Sequence, residues 1–169
     1  MPNDRKSLKG RVNVFLRDAR TGDVLDERHI DNLVVDVGEA WVAQRMTATP
    51  ATVNMEWIQL GLSTLAATGT DTALYESLSD PGTVGPLAGG AAPQKSTVGS
   101  TRSGATWQLT VDWGTALANT NGIEEAGIFG TSAFTGAIML ARTVFTAVNK
   151  TNNDTLQIQW QINVSDDGV

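Results

Sequence analysis

The sequence predicts a mainly β protein, an antiparallel, jelly-roll-like β-sandwich with one short helix and a long Gly/Pro/Ala-rich arm. Residues 106–113 and 156–164 alternate almost perfectly between apolar and polar side chains. A strand of this kind has one dry face and one wet face, as antiparallel sandwich sheets require. Only one stretch, residues 37–47, shows helical spacing of apolar residues instead.

The N-terminal half contains four predicted elements. Residues 11–17 alternate in the same way and predict a strand, which a turn at 21–23 joins to a returning strand at 24–30. A short apolar run at 33–35 follows. We expect Asp36 to cap a helix over about 37–47, and Pro50 to limit that helix. Residues 57–62 predict a buried strand.

The middle of the chain, from about residue 63 to 103, is rich in Gly, Ala, Ser, Thr and Pro. Such a composition resists regular structure, and a loop of this length in a compact domain is usually an interaction segment or disordered. We favour an ordered arm that lies on a neighbouring subunit, and a plain flexible surface loop is the alternative. After it, residues 138–148 are β-rich and a turn at 149–154 leads to the last strand.

The predicted organisation is a basic N-terminal arm with the first strand at 1–20 and a single β-sandwich domain at 21–169. Residues 1–20 carry a net charge of +4, whereas the rest of the chain carries −10. The acidic body argues against nucleic-acid binding, which needs clustered Lys and Arg. Arg5, Lys6, Lys9 and Arg11 are therefore candidates for binding an acidic partner protein, and a solvated terminus is the alternative.

Nothing in the sequence predicts catalysis, a metal or a cofactor. The chain has no cysteine, and no apolar run is long enough to cross a membrane. The one histidine, His29, has no evident nucleophile or orienting partner, so we interpret it as a strand histidine. Glu124 and Glu125 would point to opposite faces of a strand, which makes a poor acid/base couple. One of them could instead be buried against an arginine such as Arg142.

Several blocks of the chain resemble a group of tailed-bacteriophage virion proteins. The opening consists of GRVNVFLRDARTGD at 10–23 and NLVVDVGEAWVAQRM at 32–46. The next block, IQLGLST at 58–64 with DTALYES at 71–77, is similar to a family segment that contains T-D-T-x-L. The last block, NGIEEAGIFG at 121–130 with TGAIMLARTVF at 135–145, resembles I-x-E-A-G-L-F followed by G-x-L-L-A-R-x-x-F.

The resemblance implies a structural protein of the virion, assembled in the cytoplasm of the bacterial host. A compact module with arms suits a capsid decoration (cement) protein, and a tail-fibre, baseplate or other tail-associated adhesion module is the alternative. The implied partners are the major capsid protein or neighbouring virion proteins and other copies of the chain, a homo-oligomer and above all a trimer. Small residues of the middle segment are candidates to follow a groove on that partner: Gly82, Gly85, Pro86, Leu87, Gly89 and Gly90.

Overall fold

The computed structural model describes residues 8–47, 53–75, 94–95, 101–131 and 137–163. Within these ranges, one helix and nine strands follow one another along the chain. They are β1 (Lys9–Asp18), β2 (Val24–Val34), α1 (Asp36–Gln44), β3 (Trp57–Gly61), β4 (Gln94–Lys95), β5 (Thr101–Ser103), β6 (Thr106–Trp113), β7 (Thr120–Phe129), β8 (Met139–Lys150) and β9 (Asp154–Asn163). The prediction of a mainly β protein with one short helix is confirmed for this part of the chain.

The strands form one antiparallel sheet in the order β4-β3-β7-β8-β2-β1-β9-β6-β5. Only two residue pairs, Leu33 with Arg142 and Val34 with Ala141, join β2 to β8. The sheet curls into a half-barrel, and the inner faces of β1, β6 and β9 share one hydrophobic cluster with those of β3, β7 and β8. The prediction of a jelly-roll sandwich is not confirmed, because a single curled sheet supplies both walls of the core.

At the centre of this sheet, every second side chain of β1, β9 and β6 points into the core. β1 lies between β2 and β9, with Val14 opposite Ile158 of β9, which in turn lies opposite Val111 of β6. All three side chains are buried, as are Trp113 and Trp160. The strands predicted from alternation are confirmed, and the run at 24–30 belongs to the same strand, β2, as Leu33 and Val34 of the run at 33–35.

Sequence patterns did not predict three strands. In β7, the last five residues, Glu125–Phe129, are all buried, so this half of the strand has no wet face and no alternation. β4 and β5 lie within the middle segment, which was expected to lack regular structure and is partly β. The remaining residues of that segment between 76 and 100, and with them the proposed arm, lie outside the described residues.

The helix differs from its prediction at both ends. It begins at Asp36, and the N-cap residue is Val35, which makes no side-chain capping bond. Val35 donates its backbone N–H to the Leu140 carbonyl at 3.1 Å, as a strand residue would, so the helix starts directly from the end of β2. Asp36 lies in the first turn, where a negative charge suits the helix dipole. The last helical residue is Gln44, and Pro50 lies outside the described residues.

Gly38 explains how closely the helix approaches the sheet. A Cβ at this position would clash with the backbone of Leu140 in β8. Glycine therefore lets the first turn of α1 rest on the strand that also carries Arg142.

Candidate functional site

Two of the predicted partner-binding residues lie in the described part of the chain. Lys9 and Arg11 are exposed on the outer face of β1, opposite to the buried side chains of Val12 and Val14. Arg5, Lys6 and the six candidates in the middle segment, Gly82, Gly85, Pro86, Leu87, Gly89 and Gly90, lie outside the described residues. Their role in binding stays a prediction.

A buried cluster of charged side chains lies beneath the start of the middle segment. Arg142 on β8 and Glu125 on β7 are both fully buried. In the register of the two strands, Arg142 lies opposite Gly127, which places it diagonally across from Glu125 on the same face of the sheet. Gly61 on the neighbouring β3 leaves the space for the Glu125 carboxylate, which a Cβ at that position would meet.

The guanidinium of Arg142 is bonded on all sides. Its Nε and Nη2 contact Glu125 Oε2 at 2.9 and 2.8 Å, and its Nη1 donates to Asp71 Oδ2 at 2.9 Å. Nη2 also donates to the Leu65 carbonyl at 2.9 Å. The Tyr75 ring covers the guanidinium, with 4.7 Å between Cζ and the ring centroid. A buried charge needs such complete pairing, since an unpaired one would cost several kcal/mol.

Asp71 extends the cluster into the loop that follows β3. Its carboxylate accepts bonds from the Thr68 hydroxyl at 2.6 Å and from the Thr68 backbone N–H at 2.9 Å. Burial of Asp71 disfavours its charged form, but the bonds from Thr68 and the Arg142 guanidinium outweigh burial and lower its pKa below the usual 3.8. Asp71 is therefore an anion that holds the loop in one conformation.

The polar groups of the cluster are bonded to one another and hold a loop in place. The arginine bonds two carboxylates and one backbone carbonyl, and Tyr75 adds a backbone bond to Glu125 Oε2 at 3.3 Å. Tyr75 is also the last described residue before the segment 76–93. We define residues 62–75 as the root loop, because the cluster ties this loop to β7 and β8.

The cluster joins two of the three blocks that show the resemblance. Asp71 lies in DTALYES at 71–77, whereas Glu125 and Arg142 both lie in the last block, at 121–130 and 135–145. These three residues meet in one cluster. The expected pairing of a glutamate with Arg142 is confirmed for Glu125. Asp71 was missed, since a contact across 71 residues of chain leaves no local pattern in the sequence.

The other candidates from the sequence lie apart from the cluster. His29 is an exposed strand residue, and its ring nitrogens contact Asn13 Oδ1 at 2.7 Å and Glu27 Oε1 at 3.1 Å. In the described ranges, no group of three or more His, Cys, Asp or Glu residues is placed to hold a metal ion. Nor does the described part of the chain contain a helix with the length and apolar character of a membrane span.

An apolar groove of about 610 Å³ opens at one end of the curled sheet. Helix α1 forms one wall with Trp41 and Val42, and Trp107 of β6 and Ile162 of β9 form another. Arg45 lies over the Trp41 ring at 5.1 Å. Residues 8, 46, 54–56, 102 and 140 complete the lining.

Comparison with known protein families, curated proteins and solved structures finds no match to this chain.

Proposed function

We propose that this chain is a structural protein of a tailed-bacteriophage virion that decorates the capsid and stabilises the shell by binding. One observation carries the proposal. Two of the three blocks that resemble phage virion proteins meet in one cluster, the second block through Asp71 and the last block through Glu125 and Arg142. The likeness in these two blocks therefore includes one structural unit, and that unit holds the root of the long Gly/Pro/Ala-rich segment.

The physical logic of decoration is multivalency. A cement protein does not need one strong contact, since several weak contacts per oligomer act together at a high effective concentration. The oligomer presents its segments to different shell subunits at once. The trimer implied by the resemblance is part of the proposal, with the major capsid protein as the main partner and the virion as the location.

A rigid root supports this use of the middle segment. A segment that must reach a neighbour loses less conformational entropy on binding when its origin is already fixed. The guanidinium of Arg142 bonds the root loop at Leu65 and at Asp71, and the Tyr75 ring packs on the face of the guanidinium. The residues at 82–92, rich in Gly and Ala, then allow close approach to a groove on the shell.

Removal of residues 82–92 tests the proposal. We expect the shortened protein to fold, because none of these residues belongs to the described sheet, and to lose binding to purified shells in a co-sedimentation assay. A matched control replaces the same eleven residues with a Gly/Ser linker of equal length. The linker keeps the length of the segment but changes its sequence, so the two variants show whether length or sequence matters for binding. Retained shell binding by both variants would contradict the proposed role of the segment.

A further inference from the structure

The outer face of β1 and β2 separates opposite charges into two neighbouring rows. β1 presents Lys9, Arg11 and Arg17, whereas β2 presents Glu27 and Asp31. The register places Arg11 directly beside Asp31. The face is therefore basic along one strand and acidic along the next, although the whole chain is acidic.

Apolar side chains lie between and beside these rows. Phe15 is half-buried at the centre of β1, with the edge of His29 against it at 6.5 Å between ring centroids. Arg17 covers the same ring, with its Cζ 5.3 Å from the centroid. Leu25 on β2 is 55% exposed. An aromatic centre with charges around it is the composition of protein interfaces, whose cores are enriched in aromatic residues and arginine.

Arg11 and Asp31 are both exposed, and no ion pair to either is present among the described residues. Two opposite charges on adjacent strands that form no ion pair in the described part of the chain are available to a partner. The partner surface that fits is one with an acidic row facing β1 and a basic row facing β2.

The chain itself carries that surface. A two-fold axis parallel to the strands, lying between β1 and β2, places β1 of one copy over β2 of a second copy. Arg11 then faces Asp31 of the second copy, and Asp31 faces Arg11 of the second copy, so that each ion pair occurs twice. We propose that the outer face of β1 and β2 is a contact between two copies of this chain.

The area of this face sets the expected affinity of the contact between two copies. β1 has ten residues, which span roughly 30 Å, and the two strands together span roughly 10 Å, giving about 300 Å² per copy. This is well below the roughly 800 Å² per partner of a standard interface, so we expect a weak contact with a dissociation constant of about 100 μM. Such a contact can join copies whether or not they also form the trimer proposed above. The inference does not rest on the virion role.

Charge reversal tests this contact in solution. Sedimentation equilibrium from about 1 to about 300 μM protein should show association of the unaltered chain, and R11E or D31R should weaken it at least about tenfold, because each places like charges opposite each other twice. An equal mixture of R11E and D31R should associate again as a heterodimer. The double variant R11E/D31R should associate with itself.

Arg20→Glu is the matched control, since Arg20 is exposed in the turn after β1 and lies outside the face. It changes the net charge by the same amount as R11E and should leave association unchanged. The contact would be disproved by a chain that stays monomeric over the whole concentration range. Equal association of R11E, D31R and the unaltered chain would also disprove it. Failure of this test leaves shell binding unaffected, so it is distinguishable from failure of the proposed function.

Discussion

A fully buried guanidinium is stable only where its charge and its N–H groups are matched. Arg142 meets this condition through Glu125, Asp71 and the Leu65 carbonyl. A matched buried ion pair contributes little net stability compared with apolar packing, but removal of one partner leaves the other charge buried and unpaired. Arg142 therefore acts by specifying where the root loop sits on β7 and β8.

Arg142→Met should lower the free energy of unfolding by about 3 to 5 kcal/mol, because it leaves two carboxylates without their cation. Urea unfolding followed by tryptophan fluorescence measures this change. The control is Arg28→Met, which loses a partly exposed ion pair with Asp26 at 2.6 Å and a bond to the Ala147 carbonyl at 3.0 Å. We expect the control to lose about 1 to 2 kcal/mol, and equal losses in the two variants would contradict the role assigned to Arg142.

At the scale of single residues, the sequence predicted some contacts and missed others. His29 was expected to be a strand residue and lies in β2, with Asn13 and Glu27 as its partners. The pairing of Arg142 with a glutamate was expected from the sequence. The contribution of Asp71 was not, because its distance from Arg142 is set by the fold of the whole sheet.

Among the elements, the root loop depends on electrostatics. It has no helix or strand of its own, and Asp71 bonds both its own loop through Thr68 and the sheet through Arg142. Because the pKa of Asp71 is lowered in the folded state, its ionised form stabilises the fold fully above the usual value of 3.8. That contribution is lost as the pH falls through the lower pKa of the folded state.

Asp71→Asn should therefore lower the free energy of unfolding by about 1.5 to 3 kcal/mol near neutral pH. The difference from the unaltered protein should shrink below pH 3.8, because Asp71 becomes protonated first in the unfolded chain and then, below its lowered pKa, in the folded state. Urea titrations at a series of pH values measure both effects. The control, Asp23→Asn in an exposed turn, should show no comparable loss. A difference for Asp71→Asn that stays constant down to about pH 2 would contradict this account.

Strands were predictable where one face is buried and the other is exposed to solvent, because such strands alternate between apolar and polar residues. β1, β6 and β9 alternate along their length and were found from period alone. β7 was missed because its second half is buried on both faces, so its sequence shows no alternation of apolar and polar residues. The cap of α1 was wrong because tertiary hydrogen bonding of Val35 to β8 decides where the helix begins.

For the whole molecule, the sequence indicated a mainly β fold but not whether one curled sheet or two packed sheets enclose the core. Strands with one dry face require a second apolar wall, and a sandwich and a curled sheet both supply it. Two residue pairs between β2 and β8 distinguish the curled sheet from a sandwich, and so small a feature leaves no trace in hydrophobic periodicity. The charge asymmetry, by contrast, was visible in sequence, and the alternation of β1 places its basic residues Lys9, Arg11 and Arg17 on the outer face.

The copy number of this chain in purified phage particles tests the central claim most directly. Quantitative mass spectrometry against the major capsid protein gives the ratio. Decoration of the shell predicts about one copy, or about one third of a copy, per capsid subunit, because such proteins follow the symmetry of the shell. A ratio of about one hundredth or less would place the chain in the tail or baseplate, and absence from the particle would contradict a virion role altogether.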